Sequence, residues 1–410
     1  MTHTELPSST VTDDPSSDLG RTTFTERGSL DSECGVLHFA RPLIEDEDIA
    51  AVVRVLRSGW LTTGEECQRF EEEIGAYLGV PHVVAMSSCT AALETALASL
   101  RLRPGARVGV PTWTFVSTAL AVQRQDAVPV LLDVDPDTLN LSMDAVSRAL
   151  SEGLDAIVPV HFGGVPVNRA VLDLCRRRGV PIVEDAAHAF GARTERGLLS
   201  GQASVAACFS FYATKNLTTA EGGALVTWDE ELAGFARSFR LHGLSKDAWA
   251  RYRPGSVAEY DLDTAGIKGN LPDLLAALGR AQLSRFDALQ SRRRLLVERY
   301  RSGLGAIPGV RCVPGSPVDG SADHLMVVVL PESVVRPTVV AGMTGAGVSP
   351  SVHFRPLHTF RWFQHTADLG PGGAPVADAL APRTLSLPLH PGLEPADVDR
   401  VCATLAARVA

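Results

Sequence analysis

The chain is 410 residues long, 45% of them hydrophobic, with 38 Lys plus Arg against 47 Asp plus Glu and a formal net charge of −9. That apolar content excludes intrinsic disorder over most of the length, and the acidic balance lacks the basic footprint that nucleic acid or an anionic membrane surface requires. Seven cysteines, scattered and never spaced Cys-x-x-Cys, argue against a disulfide framework or a zinc cluster and predict a reducing cytoplasm.

Residues 1–34 are rich in Ser, Thr, Asp and Glu and are expected to form a disordered leader. No basic stretch followed by an apolar core opens the chain, so no secretory signal is predicted. No apolar run reaches the ~18 residues that span a bilayer, and a soluble cytoplasmic protein is expected. From there short β-branched runs predict strands at Val83–Met86, Arg107–Val110, Pro129–Val134, Ala156–Val160, Pro181–Glu184, Ala206–Phe211 and Gly223–Thr227. Helical patterns separate most of them, such as the stretch after Thr90 and the one ending at Gly179. Apolar strands alternating with helices predict an α/β fold whose mostly parallel sheet is covered on both faces. A continuous helical pattern from Leu271 to about Leu304 leads to a smaller α+β unit with a strand at Met326–Leu330 and helices near Val334–Gly345 and Glu394–Val409. The expected division is a leader over 1–34, a large domain over 35–285 and a small domain over 286–410. Gly/Pro-rich loops are expected at Pro314–Gly320 and Gly370–Pro375.

Three segments bear on chemistry. SSCTAALETAL (Ser87–Leu97) follows a strand and opens a helix with hydroxylated residues, a place where unpaired N–H donors suit a phosphate. VEDAAHAFGA (Val183–Ala192) puts Asp185 at the carboxyl end of an apolar strand, with His188 three residues on. CFSFYATKN (Cys208–Asn216) puts Lys215 just past another apolar strand, where desolvation lowers an amine's pKa and makes it nucleophilic. Singly, each has a plainer explanation: an ordinary N-cap, an Asp capping a turn, a snorkelling Lys. Together they supply what pyridoxal phosphate needs: a lysine for an imine, an acid to keep the pyridine nitrogen protonated, and a cup for the phosphate.

These segments, with SGWLTTG (Ser58–Gly64), PTWTFVST (Pro111–Thr118), PVHFGG (Pro159–Gly164), EGGALVT (Glu221–Thr227), RLHGLSKDAW (Arg240–Trp249), KGNLPDLLAALGRAQL (Lys268–Leu283), HFRPLH (His353–His358) and LSLPLHPGL (Leu385–Leu393), occur in an order that resembles the DegT/DnrJ/EryC1/StrS sugar aminotransferases. The resemblance covers roughly Leu37 to Val409 and implies the aspartate aminotransferase-like fold type I with pyridoxal 5′-phosphate as cofactor. It implies that Lys215 is the Schiff-base lysine and proton shuttle, that Asp185 pairs with the pyridinium nitrogen, and that His188 sits beside the phenolic oxygen. Trp113 would stack on the ring, its alternative being a core aromatic near a strand end. Thr90, the Ala91 backbone and Ser210 would hold the phosphate, Asn270 would reach the site of the partner subunit in a homodimer, and His353 and His358 would line the sugar side.

Some members carry His in place of the Schiff-base lysine and act as dehydratases; here Lys215 is intact. A lyase on the same scaffold and a non-catalytic regulatory relative are the competing readings. Phe162 and Gly164 stand where the family often has Leu-Tyr-Gly, a change that bears on the substrate wall. The segments at His242–Trp249 and Lys268–Leu274 resemble most closely the branch that aminates C4 of a nucleotide-linked 4-keto sugar, with L-glutamate as donor through the pyridoxamine phosphate form. Arg240, Lys246, Arg251 and Lys268 are the expected local cations for the nucleotide diphosphate, or else solvated surface charges.

Overall fold

A computed structural model describes residues 35–195, 197–245 and 260–410. The expectations for residues 1–34 and for Lys246 and Arg251 lie outside the described residues. Leu37–Ala410 pack as one unit.

Its centre is a sheet built from β1 (His82–Met86), β2 (Arg107–Pro111), β3 (Val128–Leu132), β4 (Ala156–Ile157), β5 (Val183–Asp185), β8 (Ala206–Ser210) and β9 (Gly223–Thr227). A short hairpin, β6 (Arg193–Thr194) and β7 (Gly197–Leu198), lies between β5 and β8 in sequence. The strands hydrogen-bond in the orders β1-β9-β8-β5 and β4-β2-β3, and parallel bridges from Ile157 to Ile182 and from Val160 to Asp185 join the two groups. All pairings are parallel except those of β9, which runs antiparallel to both neighbours. Two reversals cancel, so β1 again runs with β8 and β5, and the carboxyl ends of β1, β2, β5 and β8 share one edge.

Strand alternation loads both faces of this sheet. Val84, Met86, Cys208 and Leu225 enter one core, with Ala92, Leu93 and Leu97 of α3 (Cys89–Ser99). Val83, Ala85, Phe209 and Val226 enter the other, with Phe70 and Ile74 of α2 (Glu65–Leu78), which α1 (Asp46–Ser58) precedes. Helices α4 (Val116–Gln123), α5 (Met143–Glu152), α6 (Arg169–Arg177) and α7 (Glu230–Phe239) complete the layers. Local chemistry sets their starts: Ser88, Ser142, Asn168 and Asp229 each accept a first-turn N–H as the N-cap of α3, α5, α6 and α7.

The long helix expected after Leu271 is two helices, α8 (Asp273–Ser284) and α9 (Phe286–Leu304), broken at Arg285 (φ −117°, ψ 11°). Neither Gly nor Pro marks the break, which is why periodicity runs straight through it. Tertiary contacts hold it. The Arg285 guanidinium is bound by Asp48, Glu45 and the Leu43 carbonyl. Phe286 is buried edge-on to Phe190, over Gly191, where a Cβ would come within 2.6 Å of its ring.

Beyond α9 lies a three-stranded antiparallel sheet, β10 (Arg311–Val313), β11 (Met326–Val329) and β13 (Thr384–Leu387). It shares an apolar core with α9, α10 (Arg336–Gly345) and α13 (Pro395–Val409). Between them α11 (Phe363–Thr366), β12 (Asp368–Leu369) and α12 (Pro375–Leu380) return to the large sheet, where β12 adds a parallel edge strand to β3. Pro314–Gly320 is a loop, and the loop beginning at Gly370 ends where α12 starts at Pro375. No described helix is long and apolar enough to cross a membrane, and the six described cysteines are free.

Candidate active site

The site is built on the shared carboxyl edge of β1, β2, β5 and β8. Asp185 ends β5 and is almost fully buried. Thr118 Oγ1, from the first turn of α4, donates to its Oδ2 at 2.8 Å, and the Ala187 N–H donates to its Oδ1 at 3.1 Å. Burial pushes the carboxyl's pKa up; the Thr118 and Ala187 bonds and the nearby Lys215 pull the other way. A carboxylate held this way is oriented by neutral donors and, among the described residues, forms no ion pair, a place that a protonated pyridine nitrogen fits.

Lys215 follows β8 on a turn closed by its own N–H to the Tyr212 carbonyl (2.9 Å). Burial lowers its pKa to about 8 against the opposing pull of Cys89 and Asp185. An amine so placed is a competent nucleophile near neutral pH.

His188 is buried, and burial together with the Lys215 charge drives its pKa well down. Its Nδ1 accepts the Gly163 N–H at 3.2 Å, so the neutral ring carries its proton on Nε2. His353 feels the same Lys215 charge; burial, then that charge, lowers it to about 4. Its Nδ1 pairs with Ser386 Oγ at 3.1 Å, and Phe39 stacks on it at 5.0 Å.

The N-terminus of α3 approaches the same edge. Gly223 of β9 permits this, because a Cβ there would lie 2.5 Å from the Cys89 nitrogen. Thr90 is partly buried in the first turn, and Ser210 closes β8 with its Oγ accepting the Tyr212 N–H at 3.4 Å. The Ala91 N–H is donated to Ser88 Oγ at 3.1 Å, so the cap engages the donor that the resemblance assigns to phosphate. Asn270 lies beside the end of β1 in its own chain, paired with Met86, and its Nδ2 donates to Thr63 Oγ1 at 2.6 Å.

Three expectations meet a different arrangement. Trp113 is 0% exposed, packed among Val134, Leu139 and Phe162, with its indole N–H donated to the His353 carbonyl at 3.1 Å. Neither face is open to a ligand, and the core-aromatic alternative describes it. Phe115, two residues on and the N-cap of α4, is 57% exposed and 6.0 Å from the Phe354 ring, so the open aromatic of this motif is Phe115. His358 has both ring nitrogens engaged, Nδ1 with Thr112 Oγ1 at 2.7 Å and Nε2 with Asp378 Oδ1 at 2.9 Å, which leaves none for a sugar. Arg240 is buried, with its Nη1 donating to Glu71 Oε1 at 2.5 Å and to the Ala85 carbonyl at 2.7 Å, and is therefore a structural charge rather than one facing a nucleotide. Lys268 is exposed and reaches Asn270 Oδ1.

Phe162 packs against His188 and Phe354, both at 6.1 Å. Gly164 is needed where it stands, at φ 94°, because a Cβ would lie 3.0 Å from the His188 oxygen and the Asp323 and His324 nitrogens. Sequence reasoning missed Thr118, Phe115 and His324. The first two lie inside the quoted PTWTFVST motif; His324 lies in no quoted motif.

A lowered-pKa amine, a buried carboxylate, a helix N-terminus lined with hydroxyls and an exposed aromatic fit pyridoxal phosphate. The family model described as the DegT/DnrJ/EryC1/StrS aminotransferase family matches residues 42–406. The chain is 40% identical over 371 residues, 89% of this chain and 95% of the relative, to the spore coat polysaccharide biosynthesis protein SpsC of Bacillus subtilis (strain 168). Among solved structures, the aminotransferase TlmJ from Streptoalloteichus hindustanus is 34% identical with a TM-score of 0.83, covering 91% of this chain and 98% of its own. The putative sugar aminotransferase Spr1654 from Streptococcus pneumoniae, solved in its PMP form, is 31% identical with a TM-score of 0.84, covering 91% and 99%.

Proposed function

Because the chain belongs to the DegT/DnrJ/EryC1/StrS aminotransferase family of pyridoxal-phosphate-dependent sugar aminotransferases, we propose that it moves an amino group from L-glutamate to C4 of a nucleotide-diphosphate-linked 4-keto-6-deoxyhexose. The observation that carries the chemistry is the placement of a partly buried Lys215, its pKa lowered to about 8, in the turn after β8, and of buried Asp185 at the end of the neighbouring β5. The relative named for spore coat polysaccharide biosynthesis supports a sugar substrate.

When bound, pyridoxal phosphate supplies the amine carrier and the electron sink. The protein does the rest. Lys215 would hold the cofactor through its Nζ, and the same amine would carry the proton that transamination moves. Asp185 would keep the ring nitrogen protonated, since a buried carboxylate favours a cationic neighbour. His188 offers its Nε2–H to the phenolic oxygen. Phe115 stands as a platform for the ring, and Thr90, Ser210 and the first turn of α3 receive the phosphate. Asn270 completes the site of the partner subunit, which makes a homodimer the active unit. His353, which feels the Lys215 charge, faces the sugar, and exposed Lys268 serves as a cation for the diphosphate. In this reading the enzyme works in the cytoplasm, where its thiols stay reduced.

The test is a panel of nucleotide keto-sugars incubated with glutamate, with products identified by NMR. A 4-keto-6-deoxyglucose nucleotide should yield its 4-amino sugar. Amination of the 3-keto isomer alone would overturn the C4 assignment and leave the aminotransferase, whereas repeated turnover without an amino donor would point to a lyase.

A further inference from the structure

Behind His188 stands a second buried histidine whose ring centroid lies 4.4 Å away at a tilt of 39°. This is His324, just before β11. Its Nδ1 is 3.0 Å from Asn216 Oδ1, an oxygen that can only accept, so the ring carries its proton on Nδ1. The amide cannot be turned round. Asn216 Nδ2 donates to the Ala322 carbonyl at 2.7 Å and to Gln290 Oε1 at 3.2 Å, while Gln290 Nε2 donates to the same carbonyl at 2.6 Å. A flipped Asn216 would set its oxygen against that carbonyl.

The backbone closes the circuit. The His324 N–H donates to the Gly163 carbonyl at 2.9 Å, and the Gly163 N–H donates to His188 Nδ1. Gly163 sits at φ 64°, which lets one residue serve both histidines. A proton on His188 Nδ1 would face the Gly163 N–H, donor against donor. Phe354 covers His188 at 5.8 Å. The charged and titratable groups bearing on the two rings are Lys215 after β8, His353 before Phe354 and Arg293 on α9, and Asp323 bears in turn on Arg293. Burial, Lys215 and His353 oppose a second proton on either imidazole, and Arg293 opposes one on His324.

We propose that His324 is a positioning residue, which through its ring face and its Asn216–Gln290 anchor holds His188 as the neutral tautomer with the proton on Nε2. The inference deepens the aminotransferase reading, since a neutral Nε2–H donor is what His188 needs beside the phenolic oxygen. Its structural content does not depend on the substrate.

The experiment is 15N NMR of the His188 ring in histidine-labelled holoenzyme between pH 5.5 and 8.5, with the signals assigned by their loss in His188→Asn. In the wild type, Nδ1 should read as bare and Nε2 as protonated across the range. His324→Phe keeps a ring in place but removes the anchor, and Asn216→Ala removes the acceptor while keeping His324. Each loosens the loop that seats Gly163 against His188 Nδ1 and should give mixed His188 tautomers. In each, kcat should fall about tenfold, the scale of one lost hydrogen bond, while KM for the sugar holds. An unchanged His188 pattern in either folded variant overturns the proposal, even if kcat falls. Should His324→Phe fail to fold, Asn216→Ala decides alone. Failure of the aminotransferase reading would instead appear as no sugar amination by the wild type, with the tautomer pattern still there to be read.

Discussion

Thr118 Oγ1 donates a 2.8 Å hydrogen bond to Asp185 Oδ2 across 67 residues of sequence, tying the first turn of α4 to the end of β5. The second carboxylate oxygen takes the Ala187 N–H, so two neutral donors fix the plane of an acid whose burial opposes its charge.

Thr118→Val keeps the shape and removes one donor to a charged group, a loss of about 1.5–3 kcal/mol or roughly 10- to 150-fold. Its kcat should fall within that range while cofactor is retained. Asp185→Asn should fold nearly normally and fall further, because an amide supplies no charge to the ring nitrogen. Steady-state kinetics on both variants, with circular dichroism as a folding control, checks this. Near wild-type turnover in Asp185→Asn would show that Asp185 is only a cap for the turn after β5.

The pKa of Lys215 sets a pH dependence with a definite sign. At a pKa of about 8, roughly one lysine in ten is a neutral amine at pH 7, against fewer than about one in a thousand for an ordinary lysine. Reconstitution of the apoprotein with pyridoxal phosphate, followed by the cofactor's absorbance, should speed up as pH rises towards 8 and flatten above it. An unbroken rise to pH 10 would mean an ordinary lysine. Borohydride should fix the label on Lys215 alone, and Lys215→Ala should lose both label and turnover.

Much of this site could be read from the sequence because its pieces are local. Asp185, His188 and Lys215 each follow an apolar strand within a few residues, and strand ends of one direction meet at one edge. What escaped reading was long-range. Nothing local shows that β9 runs backwards between β1 and β8, or that Arg285 breaks a helix by reaching Asp48. His324 gains its meaning only where its loop crosses Gly163 and Asn216. Trp113 and Phe115 differ by two positions in one motif, and only packing shows which of them is buried.

That difference is testable. Phe115→Ala should weaken pyridoxal phosphate binding by about 2- to 12-fold, the scale of an aromatic contact of ~0.5–1.5 kcal/mol, with the melting temperature of the apoprotein little changed. Trp113→Ala should do the reverse in kind, lowering stability by about 3–5 kcal/mol as a buried aromatic lost from a core. Titration of cofactor by fluorescence and thermal melts of the apoprotein separate the two. A Trp113 variant that is stable but cofactor-blind would restore Trp113 as the ring partner.

Asn270 is the residue whose assignment depends on a second copy of the chain. Within one chain, the Ser87 N–H donates to the Gly269 carbonyl at 2.7 Å, and the Asn270 amide is tied to Thr63. Asp273 clamps the same two segments together by accepting the N–H groups of Gly64, Glu66 and Cys67. Asn270→Ala therefore trims a side chain while the clamp stays, and its activity should be clearly impaired without loss of fold. Mixing Lys215→Ala subunits with Asn270→Ala subunits then separates cis from trans. If Asn270 serves the partner, a mixed dimer gathers both lesions into one site and leaves the other site intact. Random exchange makes half the dimers mixed, so activity should recover to about a quarter of the wild-type value. If Asn270 serves its own chain, each site of the mixed dimer carries one lesion and mixing restores nothing. Absence of recovery after exchange is proven by mass spectrometry would thus return Asn270 to its own subunit, beside Ser87 and Thr63.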